Sequence, residues 1–85
     1  MTIYFDKECC YWNSDDTRNK LFLTIQMDYV RNLVKLRGYV YLNQIYEMLG
    51  AKWDTRIGNL CVEDPYFTVV IGLDDVNNRW VIDIY

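Results

Sequence analysis

The chain has 85 residues and a net charge of −3, with hydrophobic residues at 52% of its positions, eight tyrosines and three tryptophans. This length fits one domain, and this apolar and aromatic content excludes a disordered segment. No apolar run approaches the ~20 residues that cross a bilayer, and the N-terminus MTIYFDKECC lacks the basic start and apolar stretch of a signal peptide. We therefore expect one cytoplasmic domain over residues 1–85, without membrane contact.

The N-terminal segment predicts a short strand followed by two adjacent cysteines. Thr2–Phe5 alternates polar and apolar residues, which is typical of a half-buried strand. Cys9 and Cys10 follow, and we expect one thiol to point inward and the other outward. With Cys61 they make an odd number of cysteines in a chain without histidine, which fits neither a disulfide framework nor a zinc site. We expect reduced, mostly buried thiols.

The next segment permits two interpretations. Ser14–Asp16 offers a helix N-cap and acidic residues for a first turn, so that a helix can begin there. Alternatively, Lys20–Ile25 is a strand and the helix begins near residue 27 or 28. Both interpretations place Tyr29–Leu36 in the helix, with Val30, Leu33 and Val34 on its buried face, and both end it at Gly38.

The spacing of apolar residues changes within the stretch Arg37–Gly50, RGYVYLNQIYEMLG. Tyr39–Leu42 alternates like a strand, and helical spacing follows at Leu42, Ile45, Tyr46 and Leu49. Asn43 is compatible with a helix cap, and Gly50 can end the helix in a left-handed conformation. This stretch predicts a short strand followed by a two-turn helix.

The chain resembles a group of small uncharacterised proteins of bacteriophages and prophages in Gram-positive bacteria. The shared features are a short helix followed by the segments R-G-Y-V-Y-L-N and x-I-Y-E-M-L-G. The resemblance spans mainly Met27–Gly50, with weaker similarity in the Asp-rich final hairpin. It implies a small intracellular phage accessory protein. Phages use chains of this size chiefly to bind and block a host protein, including CRISPR nucleases, or as minor assembly factors.

The C-terminal part predicts a β-hairpin. Residues 51–59 show no regular spacing of apolar residues, and Trp53 stands among polar residues there. Leu60–Val62 is predicted to be a short strand or an extended segment. Phe67–Leu73 and Arg79–Tyr85 then predict two strands around the turn at residues 74–78. The inward side chains predicted for this hairpin are Phe67, Val69, Ile71, Leu73, Trp80, Ile82 and Ile84. The fold class is therefore α+β, with two helices packed on an antiparallel sheet that includes the C-terminal hairpin.

The charges are unevenly distributed along the chain. Residues 17–56 carry seven basic and three acidic side chains, whereas residues 57–85 carry five acidic side chains and one basic one. This pattern predicts a basic helical side and an acidic sheet side. Exposed aromatics beside an acidic strip suit docking onto a basic partner protein. The predicted partner-binding residues are Glu63, Asp64, Asp74, Asp75, Tyr39, Tyr41 and Tyr85.

Other functions have weaker support in the sequence. It lacks a GxSxG motif, a P-loop and a glycine-rich phosphate cradle, and Asp74–Asp75 has neither the ligand spacing nor the distal glutamate of a calcium site. We expect no catalytic residue, cofactor or metal. Two helices and a hairpin can also form a winged-helix domain, but its recognition helix at Leu42–Leu49 would lack Arg and Lys, and two aspartates on its wing would repel DNA phosphates.

We therefore expect a non-catalytic protein-binding module that inhibits a host defence or nucleic-acid-handling protein, in the manner of an anti-CRISPR protein. The alternatives are a phage assembly or regulatory protein and a small winged-helix DNA-binding protein. A basic patch drawn from Arg31, Lys35, Arg37, Lys52 and Arg56 is the feature that keeps the DNA-binding alternative open.

Overall fold

The structure is a computed structural model that describes residues 1–52, 54, 56 and 60–85. The elements in chain order are β1 (Thr2–Phe5), α1 (Asp16–Arg37), β2 (Val40–Tyr41), α2 (Leu42–Met48), β3 (Cys61–Val62), β4 (Val69–Asp74) and β5 (Arg79–Ile84). The predicted α+β class, with two helices, antiparallel sheets and a C-terminal hairpin, is confirmed. Of the stretch 51–59 that was predicted to be irregular, Trp53 and four other residues lie outside the described part.

The strands form two antiparallel sheets. A three-stranded sheet has the order β1-β5-β4, so that the last strand of the chain lies between the first strand and its hairpin partner. The register pairs Phe5 with Trp80 and Leu73 with Trp80. A separate two-stranded ribbon joins β2 to β3, with Val40 opposite Val62. The two ends of the chain are therefore tied together through β1 and β5.

Helix α1 begins where the first of the two interpretations places it. Asp15 is the N-cap, and its carboxylate accepts a hydrogen bond of 2.9 Å from the Thr17 N–H. The alternative strand at Lys20–Ile25 is wrong, because these residues lie inside the helix. The helix ends at Gly38, whose φ of +88° lies in the left-handed region that favours glycine.

Helix α2 follows β2 without a loop and carries a different cap from the predicted one. Tyr41, not Asn43, is its N-cap, and the Gln44 side chain accepts a 3.0 Å hydrogen bond from the Tyr41 N–H. The prediction for Asn43 is therefore wrong. At the other end, Gly50 has a φ of +75°, and its carbonyl accepts a 3.0 Å hydrogen bond from the Cys10 N–H. This contact joins the end of α2 to the segment after β1.

The core lies between the helices and the inner face of the three-stranded sheet. It includes Leu23, Met27, Val30 and Val34 of α1, Ile45 of α2, and Ile3, Phe5, Phe67, Trp80, Ile82 and Ile84 of the sheet side. Val69, Ile71 and the helical Leu33 are half-buried against this core. Leu73 lies on the inner face as predicted, opposite the buried Trp80, but it is 38% exposed because it is on the edge strand just before the turn.

Two buried asparagines fasten irregular segments to the helices. The Asn19 side chain accepts a 2.8 Å hydrogen bond from the Asn13 N–H and donates to the Asn13 carbonyl. Asn43 holds Asp54 in the same way, with bonds of 3.0 Å from the Asp54 N–H and 3.2 Å to its carbonyl. Each side-chain amide binds both the N–H and the carbonyl of a single residue. The two asparagines are therefore buried with their donor and acceptor groups hydrogen-bonded.

Candidate functional site

The four predicted carboxylates lie in two places. Asp74 and Asp75 are at the turn where β4 ends, whereas Glu63 and Asp64 follow β3 and precede the other end of β4. The Phe67 N–H donates to the Asp64 carbonyl at 3.3 Å, which fixes that second pair near the start of the strand. At ~3.3 Å per residue, the length of β4 separates the two pairs by about 20 Å. They do not form one cluster.

Asp74 and Asp75 differ in what their carboxylates do. Asp74 Oδ2 accepts hydrogen bonds of 2.9 Å from Asn77 Nδ2 and 3.2 Å from Arg79 Nε. The hydrogen bonds from Asn77, followed by those from Arg79, lower the pKa of Asp74, so that it stays ionised inside this turn. Asp75 is exposed to solvent. Asp75 is therefore the carboxylate of this pair that can meet a partner.

A hollow between the end of β1 and the end of α2 includes residues that sequence reasoning missed. Its volume is about 420 Å³, and its lining includes Tyr4, Asp6, Glu8, Tyr46 and Lys52. A smaller hollow of about 230 Å³ shares Asp6 and Glu8 and reaches Asn77 and Asn78 of the turn. We call Asp6, Glu8, Asp74 and Asp75 the acidic end. The signal for it was the excess of acidic residues in the first 16 positions, but only the pairing of β1 with β5 shows where they lie.

Tyr39 and Tyr41 form a second surface on the outer side of the β2–β3 ribbon. Each is 41% exposed, and their rings meet edge to face with centroids 5.1 Å apart. The Arg37 guanidinium carbon lies 5.6 Å from the Tyr39 ring centroid. Tyr41 is paired with Cys61, and continuing this register by one residue places Glu63 across from Tyr39. We call Arg37, Tyr39, Tyr41 and Glu63 the tyrosine face.

The two remaining predicted residues lie near the connection between β3 and β4. Asp64 is exposed, and its carboxylate accepts a 2.8 Å hydrogen bond from the Tyr66 N–H. Tyr85 is 73% exposed and pairs through its backbone with Thr68, at 2.9 and 3.1 Å. The predicted residues thus divide into a group at the hairpin turn and a group around residues 63–68 and the ribbon.

A third exposed surface, on α1, was not predicted. Leu21, Ile25 and Tyr29 are spaced four residues apart and, with Leu36, line the side of the helix opposite its buried residues. Their exposed fractions are 61%, 53%, 54% and 82%. The sequence showed the apolar residues, but the open choice between helix and strand at Lys20–Ile25 hid their common face.

The predicted basic patch is partly used for internal contacts. Arg31 donates a 2.9 Å hydrogen bond to the Pro65 carbonyl, and its guanidinium carbon lies 4.4 Å from the Phe67 ring centroid. Arg56 pairs with Asp54 at 2.9 Å. Two of the five basic residues therefore stabilise the fold or pair with a neighbour, which reduces the charge available to bind phosphates.

The cysteines follow the prediction in part: one of the adjacent pair is buried and the other exposed, but the expectation of mostly buried thiols is wrong, since Cys61 is only half-buried. All three are free thiols, with Cys9 buried and Cys10 exposed. Burial raises the pKa of the Cys9 thiol, and the hydrogen bond to Glu63 raises the pKa of Cys61. Since the thiolate is the reactive form of cysteine, both changes disfavour nucleophilic chemistry at neutral pH.

We expect Cys10→Ser to leave both the melting temperature and partner binding unchanged, because its side chain is exposed and bonded to nothing that the structure describes. Thermal unfolding and iodoacetamide labelling test this, and Cys10 should be labelled well before Cys9. A Cys10→Ser variant that lost partner binding at an unchanged melting temperature would contradict the assignment of this thiol as functionless.

Comparisons of the chain with protein-family models, with curated proteins and with solved structures find no match. Within the described residues, neither helix combines the length and hydropathy that a membrane-spanning helix needs. Over the same residues, no three His, Cys, Asp or Glu side chains come together in an arrangement that suits a metal ion. The candidate functions therefore depend on the surfaces described above.

Proposed function

We propose that the protein is a non-catalytic binding module that acts in the cytoplasm of a bacterial host and inhibits a defence or nucleic-acid-handling protein. The observation that carries the proposal is the tyrosine face, where two large aromatic side chains are exposed side by side. Tyrosine offers a large and rigid contact area at low cost in conformational entropy, and it is enriched at interface hot spots. The resemblance of Met27–Gly50 to small phage proteins supports the inhibitory role.

The fold holds this face in place before a partner binds. Val40 and Val62 are opposite one another in the ribbon and buried, so the alternate residues of both strands point outward. Tyr41 is also the N-cap of α2, and its N–H is bonded to the Gln44 side chain. Preorganised contact residues lose less conformational freedom on binding, which raises affinity.

The acidic end supplies the attraction to a basic partner. Nucleic-acid-handling proteins carry basic grooves for phosphates, and carboxylates such as Asp6, Glu8 and Asp75 accelerate encounter with such a groove. The tyrosines act mainly on the dissociation rate, since most affinity differences among variants of one interface arise from changes in that rate. The proposal therefore assigns the two surfaces different kinetic roles in the same complex.

We expect the double variant Tyr39→Ala/Tyr41→Ala to bind its host partner about 30-fold more weakly, as the loss of a hot spot of about 2 kcal/mol implies. The partner is captured from the lysate of a Gram-positive host and identified by mass spectrometry, and then purified for kinetic and nuclease-inhibition assays. The matched control is Tyr29→Ala/Tyr66→Ala, which removes two other exposed tyrosines. We expect wild type and control to inhibit the partner at similar concentrations and the double variant to need a concentration about 30-fold higher.

In the same assay Asp75→Lys should slow association at low salt and change dissociation little. Asp74 is unsuited to this test because its reversal would break the ion pair with Arg79. Capture of a structural phage protein in place of a host protein would favour the assembly alternative. Equal affinity of the double variant and the control would remove the tyrosine face from the proposal.

A further inference from the structure

The larger hollow at the acidic end has a chemistry of its own. Its volume of about 420 Å³ lies within the range of small-ligand sites, roughly 300–1,000 Å³. Two tyrosines, Tyr4 and Tyr46, line it together with the carboxylates of Asp6 and Glu8. Lys52 is the one cation among its lining residues in the described part of the chain. Aromatic rings combined with an excess of carboxylate favour a positively charged guest.

Tyr4 already holds a cation in the folded protein. The Arg79 guanidinium carbon lies 4.0 Å from the Tyr4 ring centroid, well within the range of a cation–π contact. Tyr4 as a whole residue is nevertheless 47% exposed, so Arg79 does not cover it completely. This internal contact shows that the ring accepts a guanidinium group, and the charge that Arg79 brings beside the hollow is offset by its ion pair with Asp74 at 3.2 Å.

The other groups of the hollow are also arranged for a cation. Asp6 Oδ1 accepts a 2.9 Å hydrogen bond from the Glu8 N–H, which fixes the Asp6 carboxylate and leaves Oδ2 for a guest. Tyr46 is half-buried, and burial raises the pKa of its phenol, so that it remains neutral at physiological pH. A neutral phenol presents the electron-rich face of its ring to a cation.

We propose that this hollow binds one guanidinium or alkylammonium group, with Tyr4 and Tyr46 as its aromatic walls and Asp6 and Glu8 as its counter-charges. An arginine or lysine side chain of a protein and a free organic cation share this chemistry. The site does not depend on the tyrosine face, so that either proposal can fail while the other stands.

The test is a titration of the intact protein with N-acetylarginine amide, followed by amide chemical shifts in NMR spectra. The neutral isostere N-acetylcitrulline amide is the matched control, because it keeps the shape of the guest and removes its charge. We expect saturable shifts at residues of the hollow with a dissociation constant of about 1–10 mM for arginine, as befits so small a ligand, and none for citrulline. Equal shifts with both compounds, or no saturation with arginine, would overturn the proposal.

Variants separate the hollow from the overall charge of the protein. Glu8→Gln should weaken arginine binding about fivefold, whereas Glu63→Gln, which removes the same charge from the tyrosine face, should change it less than twofold. Tyr4→Leu should abolish saturable binding and Tyr4→Phe should retain it, because the aromatic ring is the group required. Equal effects of the two Glu→Gln variants would mean that arginine is attracted by the overall charge of the protein. That result would overturn the proposal.

A short peptide with one central arginine distinguishes the two sources of the cation. If the peptide binds at least tenfold more tightly than N-acetylarginine amide, the surroundings of the hollow also contact a polypeptide and the guest is a partner side chain. If both bind equally, the guest is a free small cation.

Discussion

Replacing Gly50 with alanine is expected to lower the free energy of unfolding by about 3 kcal/mol, from left-handed strain of ~1–2 kcal/mol and overpacking of ~1–3 kcal/mol. Gly50 has a φ of +75°, and a Cβ added there would lie 2.8 Å from the Cys10 nitrogen and 2.9 Å from the Cys10 Cβ. The nearest of these atoms belongs to the backbone, which a rotamer change cannot move. The segment after β1 would have to separate from the end of α2.

Gly38→Ala is the matched control for this prediction. Gly38 has a φ of +88°, but a Cβ there meets no described atom within 4 Å. It should therefore show the backbone strain alone, about 1 kcal/mol. Urea denaturation of both variants measures the difference. Equal losses of stability would mean that the contact between Gly50 and Cys10 yields without cost.

The Gly50 contact also positions the hollow at the acidic end. Cys9 on one side of the contact and Ala51 and Lys52 on the other are all lining residues. We therefore expect Gly50→Ala to weaken arginine binding even in molecules that remain folded, since the walls would be displaced. The same backbone junction thus serves both the fold and the candidate site.

Elements with a clear local period were predictable from the sequence. In Arg37–Gly50 the change from alternation to helical spacing marks the boundary between β2 and α2, because neighbouring residues alone determine that pattern. The strands of the C-terminal hairpin were predictable for the same reason. Such signals fix which element forms, but not which distant element it pairs with.

The candidate sites depend on long-range pairing, which no local pattern contains. Asp6 lies beside Asn77 and Asn78 because β1 pairs with β5, with Thr2 opposite Asp83. The acidic end therefore joins residues from opposite ends of the chain. In the same way, the pairing of β3 with β2, continued by one residue, places Glu63 across from Tyr39. The sequence predicted several of these residues as partner-binding without showing which of them are neighbours.

Buried polar residues were a second source of missed structure. Asn19 and Asn43 lie at positions that an apolar pattern treats as gaps, yet both are buried because each binds the backbone of a nearby segment outside its helix. Their partners, Asn13 and Asp54, give no sequence signal for this role. Periodicity describes how a helix meets an apolar core, and it does not describe side chains that replace missing backbone hydrogen bonds.

Replacing Trp80 with alanine is expected to reduce the free energy of unfolding by about 3–5 kcal/mol, as large-to-small changes of buried aromatics do. A chain of this length has a total stability of roughly 4–13 kcal/mol, so much of the population would unfold. Trp80 is 6% exposed and lies on the central strand, opposite Phe5 of β1 and Leu73 of β4. Its indole therefore contributes to the packing of the whole sheet.

Trp80→Phe distinguishes the packing of the ring from its polar group. The indole Nε1 is buried and has no hydrogen-bond partner among the residues that the structure describes. Such an unpaired donor costs about 1–3 kcal/mol, which offsets the volume that phenylalanine would lose. We expect Trp80→Phe to change stability by no more than about 1 kcal/mol in thermal and urea denaturation. A phenylalanine variant as unstable as the alanine variant would contradict the assignment of Nε1–H as an unpaired donor. A loss of stability below about 1 kcal/mol in the alanine variant would place Trp80 outside the core.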